Sequence, residues 1–206
     1  MRLIAHDVIV ELGSTRILDG LSFTLKSGTI TAVRGPSGSG KTTLLGAIAG
    51  SVPIESGTID WCDGDQAIPV PAGAVAWVPQ GGNALGARTT LDNVLVAALS
   101  TGISDTAALR RSIQCLQRVD IAPRKRNDAD TLSGGEQQRL SFARALALDR
   151  PLVLADEPTA GLDRANAENV VALLRSLRSR SAIVVATHDQ HLIAACDVVV
   201  DLARGA

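Results

Sequence analysis

The segment from Gly35 to Thr43 constrains the fold of this chain more than any other stretch of its sequence. It satisfies the phosphate-loop pattern G-x-x-x-x-G-K-[ST], it follows a short apolar strand at 30–34, and it opens a helix that we predict from Lys41 to about residue 49. Its glycines let the backbone wrap an anion with the N–H groups pointing inward. The residues expected to contact the nucleotide are Gly35, Pro36, Ser37, Gly38, Ser39, Gly40, Lys41, Thr42 and Thr43. The pattern predicts a site for a nucleoside triphosphate such as ATP.

Two side chains of this loop carry specific chemistry. Lys41 is expected to reach the β- and γ-phosphates, and the hydroxyl of Thr42 is expected to ligate Mg²⁺. The alternative, a glycine-rich turn with an incidental lysine, is disfavoured by the strand before the loop and the helix after it. The loop therefore indicates nucleotide binding, but it does not indicate which reaction the bound nucleotide undergoes.

Strand-like and helix-like segments alternate along most of the chain. Because helices separate the apolar strands, we predict an α/β fold with a mainly parallel sheet flanked by helices, together with an N-terminal antiparallel β region. Helices predicted at 91–99 and 105–119 interrupt this rhythm and indicate a small helical subdomain at about 83–130. The rest, about 1–82 and 131–206, forms the core of a single domain.

Composition excludes several classes of protein. The formal charge is −1 and the isoelectric point is about 6.3, so no basic surface field points to nucleic acid. The apolar runs are short, as at 182–186, and none approaches the ~20 residues that a membrane-spanning helix needs. The first residues show no signal-peptide pattern. We therefore expect a soluble, intracellular protein.

A second anion-seeking feature follows the predicted helical subdomain. Ser133 and Glu136 have the spacing of a capping box, so a helix is predicted to start here. Gly134 and Gly135 leave backbone N–H groups uncovered in its first turn, and a helix N-terminus attracts anions. Taken alone, these residues also fit an ordinary helix start.

Two acidic residues follow the apolar strand predicted at 152–155. Ligands of open parallel sheets bind at the carboxyl ends of the strands, which is where Asp156 and Glu157 lie. We assign Asp156 to the metal and Glu157 to the attacking water. Without the upstream phosphate loop, the same pair fits a solvated loop.

In the order of its motifs the chain resembles the ATP-binding cassette family, specifically the stand-alone ATPase subunit of a transporter. The matching segments are the Walker A loop at 35–43, the Q-loop glutamine Gln80, the signature at 132–136, Walker B at 152–157, the D-loop at 160–163 and the switch histidine His188. The resemblance implies a P-loop NTPase that uses ATP and Mg²⁺. The resemblance covers essentially the whole chain, and the ordered set of six motifs is far more specific than any one motif alone.

The resemblance also implies a head-to-tail dimer that encloses two ATP molecules. Ser133, Gly134 and Gly135 of one subunit would contact the γ-phosphate bound by the other, and Asp163 would cross the interface. Gln80 would touch Mg²⁺ or the lytic water, and His188 would hydrogen-bond the γ-phosphate. In isolation, Gln80 fits a loop glutamine, Asp163 fits a helix N-cap, and His188 fits a core or capping histidine.

The partners implied are a transmembrane permease and a second cassette, either another copy of this chain or a different one. The protein would then lie on the cytoplasmic face of the cell membrane, held there by its membrane partner. The alternative is a regulatory ATPase whose membrane partner moves no solute. A soluble cassette of translation or DNA repair fits less well, because neither a second cassette nor a long coiled-coil insertion is present. A P-loop kinase or GTPase would not explain the segment from Ser133 to Glu136.

The chain departs from the family pattern where the adenine base is held. The family usually places an aromatic residue near the first hairpin, and this chain contains no tyrosine. The equivalent position is Leu12, ahead of the turn at 13–15. An aliphatic side chain buries one face of a base but lacks the quadrupole that guides aromatic stacking. We therefore expect weak discrimination between ATP and GTP.

Overall fold

The computed structural model describes residues 2–63, 66–71, 73–81 and 83–202. Its strands are β1 (Arg2–Leu12), β2 (Thr15–Lys26), β3 (Ile30–Arg34), β4 (Ser56–Asp63), β5 (Gln66–Pro69), β6 (Val75–Val78), β7 (Leu152–Asp156), β8 (Ala182–Ala186) and β9 (Val198–Asp201). Its helices are α1 (Lys41–Ile48), α2 (Thr90–Leu99), α3 (Asp105–Arg118), α4 (Gly134–Leu148), α5 (Arg164–Leu177) and α6 (Gln190–Ala194).

The strands form two sheets, which confirms the predicted fold class. An antiparallel sheet has the order β2-β1-β4-β5, and a parallel sheet has the order β6-β7-β8-β3-β9. Every residue of β7 and of β8 is buried. Continuous burial of this kind is expected of a parallel strand that is covered on both faces.

Two hydrophobic cores cover the faces of the parallel sheet. Val153 and Val185 pack in the core that includes residues of α2, α3, α4 and α5. Leu154 and Val184, their immediate neighbours along the strands, pack in the core shared with α1 and the antiparallel sheet. The side chains of β7 and β8 therefore alternate between two cores, as the pleat of a strand requires.

The segment between α3 and α4 has local structure of its own. It contains two short 3₁₀ turns, Ala122–Arg124 and Ala129–Thr131. Asn127 O accepts a hydrogen bond from Thr90 N at 2.8 Å, and Lys125 O accepts one from Leu91 N at 3.0 Å. The first backbone N–H groups of α2, which have no partner within the helix, are satisfied in this way.

Helices α2 and α3 pack against each other and against α4. Thr89 caps α2 by accepting a hydrogen bond from Asp92 N. Both helices lie within one residue of the predicted bounds, 91–99 and 105–119, while the boundaries of the helical subdomain remain a prediction. Among the residues that the structure describes, no helix is both long enough and apolar enough to span a membrane.

Candidate functional site

The phosphate loop leaves β3 and ends at the first turn of α1. Gly40 has a φ of +90°, and a Cβ there would lie 2.7 Å from Cγ2 of Ile17, so only glycine fits. A Cβ on Gly35 would collide with the side chain of Ser39. Lys41 is buried, and its Nζ donates hydrogen bonds to the carbonyl oxygens of Gly35 and Pro36 at 3.0 Å each. The ammonium group is thereby held inside the curve of the loop.

Thr42 and Asp156 meet across the cleft between α1 and β7. The Thr42 hydroxyl donates to Oδ2 of Asp156 at 2.7 Å, and Oδ1 of Asp156 is buried without a hydrogen-bond partner among the described residues. Burial raises the pKa of the Asp156 carboxyl, with a smaller contribution from the neighbouring Glu157 and opposition from the Thr42 hydrogen bond and from Lys41. A buried carboxylate oxygen without a partner has a free lone pair for a cation.

This donor set fits Mg²⁺. Magnesium prefers oxygen ligands and is usually held by one or two carboxylates, with water and substrate phosphates completing the octahedron. Over the described part of the chain, no group of three or more His, Cys, Asp or Glu side chains could hold a metal ion. Thr42 and Asp156 would therefore share the ion with phosphate oxygens and water.

Glu157 lies between a histidine and the phosphate-loop lysine. Its Oε1 is 3.0 Å from Nδ1 of His188 and 3.5 Å from Nζ of Lys41. The Glu157 side chain is 10% exposed, whereas that of His188 is 71% exposed. Glu157 also has a positive φ of 43°. This left-handed conformation is uncommon for glutamate, and it is fixed here because Glu157 N donates to Ala186 O at 2.8 Å. The carboxylate is therefore oriented by its neighbours.

These residues surround one cavity of about 450 Å³. It is lined by Ile17, Pro36, Ser37, Gly38, Gly40, Lys41, Thr42, Thr43, Gln80, Asp156, Glu157 and His188. The structure thus brings the predicted phosphate, metal, water and γ-phosphate residues together. The predicted residues that are not part of the lining are Leu12, Gly35, Ser39, Asp163 and the segment 133–135.

The signature residues form the predicted helix start. Ser133 is the N-cap of α4: its Oγ accepts from Glu136 N at 3.4 Å, and its N–H donates to Glu136 Oε2 at 2.9 Å. Arg124 Nε donates to Oε1 of Glu136 at 2.8 Å. The backbone hydrogen bond from Ser133, followed by that of Arg124, lowers the pKa of Glu136. Ser133 and Gly134 are exposed, so this helix start is open to an external anion.

Asp163 caps α5, accepting a hydrogen bond from Asn166 N at 2.8 Å. This is the role of the helix N-cap aspartate that the sequence left as an alternative. Its contact across a dimer interface remains a prediction.

Sequence reasoning missed two residues of this region. Ile17 on β2 lies against Gly40 and lines the cavity, whereas Leu12 is 51% exposed at the tip of the first hairpin. Arg144 on α4 donates from Nη1 to the carbonyl oxygen and to Oδ1 of Asn83, three positions after Gln80. The β-branched side chain of Ile17 favours a strand, but it does not indicate that this strand passes over Gly40. No pattern indicated the second.

Comparison with a family model decides the relationship. Residues 18–160 match the model of the ABC transporter family. The chain belongs to the ABC transporter family. An ABC transporter ATP-binding protein of Mycobacterium bovis is 40% identical over 210 residues, which cover 95% of this chain and 63% of that protein. The lipoprotein-releasing system ATP-binding protein LolD 1 of Rhodopseudomonas palustris is 37% identical over 201 residues, which cover 93% of this chain and 89% of that protein.

Solved cassettes share the fold of this ABC family member. A dimeric ATP-binding cassette in a post-hydrolysis state, bound to ADP and phosphate, superimposes with a TM-score of 0.84 at 26% identity, covering 97% of this chain and 93% of that one. A putative metal-chelate type ABC transporter in an inward-facing conformation superimposes with a TM-score of 0.82 at 27% identity. The match covers 97% of this chain and 78% of that one. The chain spans 63% of the length of the Mycobacterium bovis relative.

The expectation that the adenine base meets aliphatic side chains leads to a first prediction. The residues offered by the first hairpin and β2 are Leu12 and Ile17, neither of which distinguishes adenine from guanine by hydrogen bonding. Titrating ATP and GTP into the purified protein should give dissociation constants within about tenfold of each other, a difference below 1.4 kcal/mol. A preference for ATP of tenfold or more would contradict this expectation. Leu12→Tyr is the matched variant and should raise the affinity for both nucleotides through stacking.

Proposed function

We propose that this protein is the ATP-binding and ATP-hydrolysing subunit of an ABC transporter, which powers a separate transmembrane permease through ATP-driven closure of a cassette dimer. The observation that carries the proposal is the division of the site. Phosphate, metal and water residues converge on one cavity, while the exposed signature residues Ser133 and Gly134 lie outside it. An ATP molecule in the cavity therefore needs the signature of a second cassette to be enclosed.

The chain's own groups account for the binding of the triphosphate. Backbone N–H groups of the phosphate loop surround the phosphates, and Lys41 approaches them from the inside of the loop. Mg²⁺ held by Thr42 and Asp156 would neutralise the charge that develops on the phosphates. The unpartnered Oδ1 of Asp156 supports that assignment.

Glu157 is the residue placed to activate water. Its carboxylate is largely shielded from solvent and is oriented by Nδ1 of His188 at 3.0 Å. A water between Glu157 and the γ-phosphate would lose a proton to the carboxylate as its oxygen attacks phosphorus, and the β–γ bridging oxygen would leave with ADP. Gln80, which also lines the cavity, would orient the same water or the metal.

Closure of the dimer supplies the contacts to the γ-phosphate that one subunit lacks. Ser133, Gly134 and Gly135 at the start of α4 present a hydroxyl and backbone N–H groups, which suit the γ-phosphate of the facing subunit. The facing cassette is a second copy of this chain or a related one. The ABC family match and the dimeric cassette with ADP and phosphate support this arrangement.

A membrane partner completes the proposal. Relatives such as the macrolide export ATP-binding/permease protein MacB of Mannheimia succiniciproducens carry both functions in one protein, of which the match covers 31%. In the present case the permease is proposed as a separate chain, which would hold this subunit on the cytoplasmic face of the membrane.

The water-activating role of Glu157 yields a mutational prediction. Glu157→Gln keeps the shape of the side chain but removes the base, so ATP should still bind while hydrolysis slows by roughly 10²–10⁴-fold. Size-exclusion chromatography with ATP and Mg²⁺ should then show a closed dimer. Glu168→Gln, at an exposed ion pair on α5, is the control and should behave as wild type. A mutant that stays monomeric with ATP, or hydrolyses it at the normal rate, would refute the assignment.

The role of the signature in trans can be separated from binding within one subunit. Ser133→Arg places a bulky cation at the start of α4 and should abolish hydrolysis, while ATP binding by the monomer stays nearly intact. Loss of the cap should cost about 1 kcal/mol of folding stability, which thermal unfolding would report. Ser104→Arg, at an N-cap that makes no side-chain hydrogen bond, is the matched control. If nucleotide binding by a folded Ser133→Arg monomer collapsed, the signature would act within its own subunit.

The metal role of Asp156 predicts a change in Mg²⁺ dependence. For the wild type, replacing Mg²⁺ by EDTA should weaken ATP binding by about tenfold or more, or at least 1.4 kcal/mol. In Asp156→Asn that difference should shrink, because the amide cannot offer a charged oxygen to the ion. Calorimetric titration measures both conditions, and Asp130→Asn, an exposed substitution, is the control. An unchanged Mg²⁺ dependence in Asp156→Asn would exclude this residue as a ligand.

A further inference from the structure

Two loops at the carboxyl edge of the parallel sheet are joined to each other by two side-chain contacts. The first loop follows β7 and contains Glu157 and Thr159, and the second follows β8 and contains His188 and Asp189. One contact joins Oε1 of Glu157 to Nδ1 of His188 at 3.0 Å. The other is a hydrogen bond that the Thr159 hydroxyl donates to Oδ2 of Asp189 at 2.9 Å.

The two contacts differ in their exposure to water. The His188 side chain is 71% exposed, and its ring makes no other hydrogen bond within the described part of the chain. Thr159, in contrast, is 7% exposed, and Asp189 is half-buried. A hydrogen bond in the interior is electrostatically stronger than one in water. The bond between Thr159 and Asp189 is therefore the firmer connection between the two loops.

Asp189 is held at three of its atoms. Its Oδ2 accepts from the Thr159 hydroxyl, its Oδ1 accepts from His191 N at 2.9 Å, and its own N–H donates to Oγ1 of Thr187 at 3.0 Å. Thr187 is fully buried, and its N–H donates to a carbonyl oxygen of β3. The residues on both sides of His188 are thus fixed, one by the sheet and the other by Thr159.

Thr159 is equally well fixed on the first loop. Its carbonyl oxygen accepts from Leu162 N at 3.2 Å, and the carbonyl oxygen of Glu157 accepts from Ala160 N at 3.0 Å, so this loop is a run of hydrogen-bonded turns. Neither Thr159 nor Asp189 lines the nucleotide cavity. They can therefore affect the site only through the residues that they hold.

We propose that Thr159 and Asp189 are a positioning pair that holds His188 in place against Glu157. The inference rests on the proposed function, in which Glu157 activates water and His188 contacts the γ-phosphate. An exposed ring with one hydrogen bond takes its direction from the backbone that carries it, and the pair fixes that backbone at Asp189. Because a small misplacement of a reacting group can cost about 10²-fold in rate, the pair controls turnover and leaves nucleotide binding unchanged.

Thr159→Val tests the pair, because it removes the hydroxyl and keeps the shape of the side chain. Steady-state ATPase kinetics with Mg²⁺ should show kcat lowered by about tenfold or more and KM within about twofold of wild type. Thr159→Ser restores the hydroxyl and should recover most of the lost rate. Thr101→Val is the matched control and should behave as wild type, because the Thr101 hydroxyl donates to Ala98 O at 2.7 Å at the end of α2.

A spectroscopic readout tests the pair without ATP hydrolysis. The chain contains three histidines, so NMR of the nucleotide-free protein with ¹³C-labelled histidine rings should resolve each of them, with assignment by replacing each in turn. Thr159→Val should shift the ring signals of His188 and His191, because Asp189 holds the loop that carries both. The signal of His6, which lies on β1, should stay in place and serves as the internal control.

The outcomes separate this inference from the proposed function. The positioning pair is overturned if the wild type hydrolyses ATP and Thr159→Val matches it in kcat, or if Thr159→Ser does not recover the rate. It is also overturned if the His188 signal of Thr159→Val coincides with that of the wild type. A wild-type protein without ATPase activity would instead contradict the proposed function, and the histidine spectra alone would then decide whether the pair holds His188.

Discussion

The whole site depends on the parallel hydrogen bonding of β7, β8 and β3 up to their carboxyl ends. Two backbone bonds extend the ladder beyond the strands: Glu157 N donates to Ala186 O at 2.8 Å, and Thr187 N donates to Val33 O at 3.0 Å. Because β8 lies between the other two strands, these bonds fix Asp156 and Glu157, His188 and the phosphate loop against one another. The strands themselves are held by burial on both faces, so the position of the chemistry is set by the core.

Helix α4 is the second element on which the structure depends. It starts at the capping box of Ser133 and Glu136, and its later turns contact both neighbouring regions. Arg144 fastens it to Asn83, just after Gln80, and burial lowers the pKa of this arginine while leaving its Nε unpaired. The Nε2 of Gln138 is a second buried donor without a hydrogen-bond partner among the described residues. Unpaired buried donors are costly, so a helix that keeps two of them is suited to exchanging contacts when a partner or a ligand arrives.

Much of the fold could be predicted from the sequence, because the signals were local. The apolar runs of β7 and β8, the glycines of the phosphate loop and the S-x-x-E spacing at Ser133 each act within a few residues. Propensity and hydrogen bonding at that range specify strands, turns and helix starts. The site was harder wherever contacts join distant segments. Ile17 lines the nucleotide cavity only because β2 passes over Gly40, and no spacing in the sequence records that passage.

The sequence by itself determined the order of the chemical groups along the chain and the local shapes that carry them: a loop for phosphate, a strand ending in acids, and a helix start for an anion. Only the tertiary structure decided which of these groups meet. It placed Lys41, Asp156, Glu157 and His188 around one cavity and left Ser133 exposed outside it. The physical reason is that proximity between distant residues follows from how strands pair and helices pack, which the two hydrophobic cores settle only when the chain has folded.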